Sequence, residues 1–414
     1  MRAGAVQGAE RVRARARFGI RGVEVSGFRT ARDVSFAPGP LSALVGEADA
    51  GKSNLLAAIR AVLDPAAAPL TAEDAAAGGD GRISIRLELE GGGEASLTES
   101  SGDNAVSGGA LPPVLFLPAE LRTGSILAAG AQRAVAANSG GIFERALGSR
   151  QSAPAARALS LVGALESCSA RRVTGLLLLV EEPELYLRPQ AQRYLYRLLR
   201  EFALAGNQVI YSTHSPAFLN VSRLEELVFV ERLPRTGTRA LHPEPVSADE
   251  DFRVMTEFDA ERSELFLARA AVLVEGLTEK LVLPFVFSAL GHDADREAIS
   301  IIECGGKPNI PFFARICRAT GTPFVVVHDS DTRSSGRLAP ADRALNGLIA
   351  EIAGEERVIQ LDPDFEAVAG VAGHKPERAW KEFAARTPVE MPSSLVRVVE
   401  LALSAATPPR DVQV

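Results

Sequence analysis

Cysteine is scarce in this 414-residue chain: Cys168, Cys304 and Cys317 are the only three, none is spaced C-x-x-C, and one is necessarily unpaired. That usage points to a reducing compartment, with a cytoplasmic location expected. No apolar run approaches the roughly 18 residues that span a bilayer, so no membrane association is expected. The opening "MRAGAVQGAERVRARARF" is rich in arginine but lacks the apolar core of a secretory signal; it reads as a solvated basic tail able to contact phosphate. Positive charge is not in excess, with 45 Lys+Arg against 52 Asp+Glu and a net charge of -7. Bulk charge therefore does not announce a nucleic-acid partner, although a local basic groove suffices for one and metal-site carboxylates add acid. There is no internal repeat at solenoid periods.

What is present is ordinary for a globular protein, with 46% hydrophobic and 23% charged residues. The length allows two or three domains, each with its own core. Residues 19–45 alternate as strands with turns at Gly27, Pro38 and Gly39. Residues 64–81 and 91–110 are rich in Ala, Gly, Asp or Ser and read as loops, the second as a loop or hairpin tip. "RISIRLELE" alternates as a half-buried strand, and the apolar runs "PPVLFLPAE" and "GLLLLVEEPE" read as buried strands. A helix starts near Pro189 and stops at Gly206, and "QVIYSTHSP" is the next strand. The polar stretch 232–260, with Pro234, Pro243 and Pro245, marks a domain boundary, beyond which strands and helices alternate again.

Two constellations carry chemistry. Gly46-Glu47-Ala48-Asp49-Ala50-Gly51-Lys52-Ser53 is a G-x-x-x-x-G-K-S loop between the apolar strand "LSALVG" and the helix "KSNLLAAIRAVL". In that context Gly46 and Gly51 let backbone N–H groups face phosphates. Lys52 supplies charge to the β and γ oxygens, and Ser53 a hydroxyl to Mg²⁺. The strand "LLLLVEE" places Glu181 near that Mg²⁺ and Glu182 where it can polarise an attacking water. His214, at the end of the following strand, is placed to sense the γ-phosphate. The second constellation is Glu275 and Glu279 in "VLVEGLTEK", one helical turn apart, with Asp329 and Asp331 in "VVVHDSD", two apart on an extended segment. Four carboxylates at the ends of neighbouring strands repel unless cations intervene, and oxygen-only ligation favours Mg²⁺ or Mn²⁺.

"GEADAGKSNLLAAI", "LLLLVEEPELYLRPQAQ" and "QVIYSTHSP" resemble the ATPase of the OLD (overcoming lysogenization defect) proteins, a RecF- and SMC-related branch of the ABC ATPases. "ERSELFLARAAVLVEGLTEKLVLP" after an ATPase is similar to the Toprim domain of OLD nucleases. The resemblance covers roughly residues 19–385. It implies an α/β chain, an ABC-type P-loop ATPase domain plus a C-terminal Toprim domain with a Rossmann-like parallel sheet. The expected organisation is a basic tail (1–18), the ATPase (19–231), a linker (232–268), the Toprim domain (269–385) and a C-terminal segment (386–414). The resemblance also implies Glu181 at the Walker B position, Glu182 as catalytic base and His214 as switch histidine. The D-loop falls near Glu184–Pro189, and the ABC signature in "LGSRQSAPAARALSLV" with Ser149, Arg150 and Gln151. By analogy Glu366 is a further metal carboxylate and Lys375 the basic residue near the scissile phosphate, with Lys307 as a competing lysine and Ser330 beside the metal-bound water. ATP sandwiched between two heads implies a homodimer. A UvrD-like helicase partner and a role in phage defence are further implications. The stretch from Ser53 to Glu181 is too short for SMC-type coiled-coil arms, and the chain after Glu366 leaves little room for extra helices.

The leading expectation is an ATP-controlled, metal-dependent DNA endonuclease that contacts the DNA backbone without sequence specificity. The alternative is a non-cleaving, ATP-dependent DNA clamp or repair scaffold of the RecF/SMC type. Topoisomerase chemistry is not favoured, because Tyr186, Tyr194, Tyr196 and Tyr211 all fall in the ATPase half. Primase chemistry lacks a template-binding module.

Overall fold

The computed structural model describes residues 19–79, 81–100, 103–108, 111–119, 142, 154–219, 221–244, 261–332, 337–373 and 375–407. The chain divides into two compact units, Met1–Pro243 and Glu244–Val414. Among the described residues no helix is long and apolar enough to cross a membrane.

The first unit is built on an 11-stranded sheet. Its strands are β1 (Ile20–Phe28), β2 (Ala31–Phe36), β3 (Leu41–Val45), β4 (Ile83–Leu89), β5 (Glu94–Ser100), β6 (Asp103–Gly108), β7 (Val114–Leu117), β8 (Leu177–Glu181), β9 (Gln208–Thr213), β10 (Leu227–Leu233) and β11 (Gly237–Leu241). The order is β6-β5-β4-β1-β2-β11-β10-β3-β9-β8-β7. From β10 to β7 neighbours run parallel, and their strands β3 and β9 are buried along their whole length, as continuous apolar runs require when both faces are covered. The opposite half is antiparallel, and β4 alternates buried and exposed residues. Within the segment read as a loop or hairpin tip, β5 and β6 pair antiparallel from Ala95↔Gly108 to Ser100↔Asp103.

Helix α1 (Lys52–Leu63) follows β3 and buries Leu55, Leu56, Ile59 and Val62 in the core under the sheet. The other α-helices among the described residues of this unit include α2 (Pro154–Arg171) and α3 (Pro189–Leu204); Pro189 opens α3, where a missing N–H costs nothing. The segment expected as a linker from residue 232 begins instead with the end of β10 and all of β11. Gly237, at φ 82, makes the tight return, and the hairpin pairs Leu233 with Gly237. A polar composition concealed it because the return strand is only half-buried.

The second unit holds a four-stranded parallel sheet of order β13-β12-β14-β15. Its strands are β12 (Ala270–Val274), β13 (Ile299–Glu303), β14 (Phe324–Asp329) and β15 (Val358–Leu361). Helices α4 (Leu277–Ala289), α5 (Ile310–Thr320) and α6 (Pro340–Ala353) are the crossovers, followed by α7 (Phe365–Ala369), α8 (Pro376–Ala384) and α9 (Ser393–Ala406). Leu395, Val398, Val399 and Ala402 of α9 join Val282, Leu283, Val286 and Phe287 of α4 in one core. The core of this unit thus continues past residue 385, correcting the separate C-terminal segment, and the chain after Glu366 does contain two further packed helices. The spacing Leu395, Val398, Val399, Ala402 is the apolar stripe that carries α9 onto the sheet.

Candidate functional site

In the first unit β3 delivers the chain into the loop 46–51. Gly46 has φ 159, and a Cβ there would stand 1.9 Å from the Val230 carbonyl oxygen of β10. Gly51 has φ 109, and its Cβ would stand 2.2 Å from Thr238 Oγ1 of β11. Both glycines are therefore required by close approach, and the hairpin supports the loop from beneath. Thr238 Oγ1 donates to the Ala50 carbonyl across 188 residues of sequence. Lys52 is 5% exposed; its Nζ donates to the carbonyls of Gly46 (2.9 Å) and Glu47 (2.7 Å). Burial lowers its pKa, opposed chiefly by the charge of Glu182. Ser53 is exposed at the first turn of α1.

The parallel register Glu181↔Ser212 sets the ends of β8 and β9 side by side. Glu181 accepts from the Ala119 backbone N–H (3.1 Å). Glu182 has φ 43, and its Oε1 lies 3.6 Å from His214 Nε2. Burial, then the Lys52 charge, lowers the His214 pKa. Glu184 had no side-chain role in the sequence reading, yet it is 8% exposed. Its Oε1 accepts from Thr213 Oγ1 (2.8 Å) and from the His214 backbone N–H (2.7 Å). Its Oε2 is buried without a partner, and burial raises its pKa. The one signal for it was its place three residues past Glu181 on a chain turning back over the sheet. A cavity of about 400 Å³ opens beside Ser53 and Glu181, with Arg29, Arg60 and Asp74 on its wall. Ser149 and Gln151 lie outside the described residues.

In the second unit the acids gather where β12 and β14 end. The register Val274↔Val327 puts Glu275 and Asp329 side by side at the carboxyl ends of the two inner strands, and the Asp329 backbone N–H donates to Glu275 Oε2 (3.3 Å). Glu279 sits in the first turn of α4, buried. Burial, reinforced by the charges of Asp329 and Glu275, lifts its pKa to about 8. Burial and the Glu275 charge lift that of Asp329 to about 7, and burial raises Glu275 as well. Asp329 Oδ1 is buried with no partner. Asp331, at φ 59, is held by its N–H on the Pro363 carbonyl (3.0 Å).

Ser330 turns away from the acids: its N–H donates to the Leu361 carbonyl (2.8 Å) and its Oγ to Asp362 Oδ1 (2.5 Å). Asn346 Nδ2 donates to the Ser330 carbonyl (3.1 Å). His328 is fully buried, its pKa pushed down by burial to about 4, and its Nδ1 donates to the Asp329 carbonyl (2.7 Å). Neither Asn346 nor His328 carried a sequence signal, because each acts through the backbone.

Glu366 lies on α7, whose first residue, Phe365, donates its backbone N–H to the Asp329 carboxylate. Lys375 is exposed at the start of α8. Lys307 is the lysine that reaches the acids: its Nζ donates to the Asp329 carbonyl (2.6 Å) and to Asp331 Oδ2 (2.6 Å). Among the described residues no group of three or more His, Cys, Asp or Glu side chains stands close enough to hold a metal ion. The donor set nonetheless suits a hard divalent cation: every candidate ligand is a carboxylate oxygen, one oxygen is orphaned, and burial, with mutual charge behind it, raises the pKa of Glu275, Glu279 and Asp329.

Residues 266–331 match the family described as overcoming lysogenization defect protein-like, TOPRIM domain, and residues 150–219 match the AAA ATPase domain family. The chain is 35% identical over 254 residues to the OLD nuclease of Thermus scotoductus, covering 56% of this chain and 48% of that protein. It spans about half or less of the length of the curated relatives it matches. Among solved structures, the SMC head domain from Thermotoga maritima aligns with 55% of this chain and 99% of its own (16% identity, TM-score 0.38). The C-terminal region of the Burkholderia pseudomallei OLD protein aligns with 34% of this chain and 99% of its own (16% identity, TM-score 0.29). The chain is thus similar to OLD nucleases, with an OLD-like Toprim match over the segment that carries Glu275, Glu279, Asp329 and Asp331, and an AAA-type ATPase match over the segment that carries Glu181, Glu182 and His214.

Proposed function

We propose that this chain is an ATP-binding and ATP-hydrolysing, divalent-metal-dependent DNA endonuclease whose Toprim acids cut the backbone under control of the ATPase. The observation that supports the reading is that Glu275, Glu279, Asp329 and Lys307-bound Asp331 lie within electrostatic reach of one another at the carboxyl ends of β12 and β14, in a chain that also carries a P-loop. In the ATPase, the loop N–H groups of 46–51 and Lys52 hold the phosphates. Ser53 and Glu181 hold Mg²⁺, Glu182 takes the proton of the attacking water, and His214 reads the γ-phosphate. In the Toprim unit Glu275, Glu279, Asp329, Asp331 and Glu366 hold Mg²⁺ or Mn²⁺. Bound divalent cations supply Lewis acidity for phosphodiester hydrolysis. The protein's share is to orient the carboxylates: Asp329 is fixed by its strand end and by the Phe365 N–H, and Asp331 by its backbone bond to Pro363. Lys375 or Lys307 stabilises charge gathering on the non-bridging oxygens.

DNA contact runs through the phosphate backbone, so binding weakens with salt. The active form is a homodimer with ATP between two heads, in the cytoplasm. A UvrD-like helicase partner and a defence role against phage are compatible with it. The test is supercoiled plasmid incubated with protein in Mg²⁺ or Mn²⁺, with and without ATP, beside Asp329→Ala/Asp331→Ala. Metal-dependent nicking or linearisation lost in the double variant supports the nuclease. No cleavage in any lane with ATP hydrolysis intact moves the reading to a non-cleaving DNA clamp.

A further inference from the structure

Lysine is rare in this chain. Of 45 basic residues only Lys52, Lys280, Lys307, Lys375 and Lys381 are lysines. Lys307 is 3% exposed and lies among carboxylates. Two glycines bring it there: Gly305 at φ 72 and Gly306 at φ 113 reverse the chain after β13, and the Gly306 N–H donates to the Glu275 carbonyl (2.8 Å). The backbone N–H of Lys307 then donates to the Glu275 carboxylate. Its ammonium reaches the far side of the cluster, on the Asp329 carbonyl and Asp331 Oδ2. One residue therefore ties together the two chain segments that carry Glu275 and Asp329–Asp331. The slot suits a compact ammonium, which offers three rotatable donors on a flexible stem, better than a planar guanidinium.

We propose that Lys307 is a resident counter-ion of the acid site, a built-in cation that neutralises Asp331 in the metal-free protein and that a divalent cation must displace on entering. The inference rests on the reading of these acids as metal ligands. The reasoning is one of charge and lone pairs. An incoming divalent cation needs the Asp331 oxygens, and one of them already accepts a hydrogen bond from an ammonium that is buried and cannot swing freely into water. Metal binding therefore breaks the Lys307–Asp331 pair, and that cost opposes it. In exchange, the metal-free site is spared the full repulsion of its carboxylates. Lys307 thus sets the divalent-cation concentration at which the site loads.

The test is Mn²⁺ titration of the full chain without nucleotide, with free Mn²⁺ read by electron paramagnetic resonance. It compares wild type, Lys307→Met, and Asp329→Asn/Asp331→Asn as background. The expected result is saturable binding in wild type that the double variant loses, and binding at least tenfold tighter in Lys307→Met. Equal or weaker binding in Lys307→Met, with wild type still above background, overturns the counter-ion and leaves the metal site standing. Wild type no better than the double variant overturns the metal-site reading and this inference with it. Should Lys307→Met not fold, acylation of wild-type lysines read by peptide mass spectrometry supplies the answer, with exposed Lys381 as internal reference. Labelling of Lys307 relative to Lys381 is expected to rise at least threefold when Mn²⁺ replaces chelator. An unchanged or lower ratio overturns the proposal.

Discussion

Glu184 offers the sharpest check on how the ATPase half is held together. Its Oε1 is the common acceptor for Thr213 Oγ1 and the His214 backbone N–H, both at the end of β9. Replacement by Ala leaves one buried and one part-buried donor unsatisfied, at about 1–3 kcal/mol each and at most about 6 kcal/mol together. Removing a carboxylate that burial disfavours offsets part of this. The net loss corresponds to a drop in the melting temperature of about 4–15 °C for a unit of this size. Glu184→Gln keeps the accepting oxygen and discards the charge, so it retains both bonds at little cost. The assay is differential scanning fluorimetry beside steady-state ATP hydrolysis. Glu184→Ala is expected to lose stability and turnover together, because His214 is released from its place opposite Glu182. Glu184→Gln is expected to keep both. A Glu184→Gln variant that melts like wild type but hydrolyses ATP as poorly as Glu184→Ala refutes the reasoning, since it assigns the effect to the charge and not to the two hydrogen bonds.

Gly51→Ala forces a side chain to φ 109 and to 2.2 Å from Thr238 Oγ1; the left-handed conformation alone costs about 1–2 kcal/mol, and ATP affinity measured with a fluorescent analogue is expected to fall at least tenfold. Asp329→Asn/Asp331→Asn is expected to abolish plasmid cleavage, as chelator does, while ATP hydrolysis by the other unit continues at the wild-type rate; retained cleavage removes these acids from the chemistry. Phe287→Ala opens a cavity between α4 and α9 and is expected to destabilise the second unit by about 3–5 kcal/mol. Trp380, the single tryptophan, stands 5.9 Å from Phe285 in that unit and reports its denaturant unfolding directly by fluorescence.

The P-loop was legible because its features are consecutive: an apolar strand, two glycines at set positions, and a helix with buried residues at 3.6-residue spacing. The acids at the ends of β8, β12 and β14 were legible for the same reason, each closing an apolar run. The hairpin β10–β11 was not, because its return strand is short, half-buried and polar in composition. Helix α9 was passed over because its role shows only in what it covers: Val282, Leu283 and Val286 lie more than a hundred residues earlier in the chain. Lys307 stood as one of two candidate lysines, since its sequence context shows a Gly-rich turn but not where the turn points.

The sequence by itself determined the strands and helices around the P-loop and the acid motifs, and which strand ends carry carboxylates, because periodicity and turn chemistry act within a dozen residues. Tertiary structure alone decided which of those ends meet. Thr238 supports the P-loop from 188 residues away, Glu184 ties β8's exit to β9's, and the Lys307 ammonium settles on Asp331 rather than in solvent. Those contacts depend on strand order and register, which are fixed by the burial of non-local apolar faces, and no local pattern encodes them.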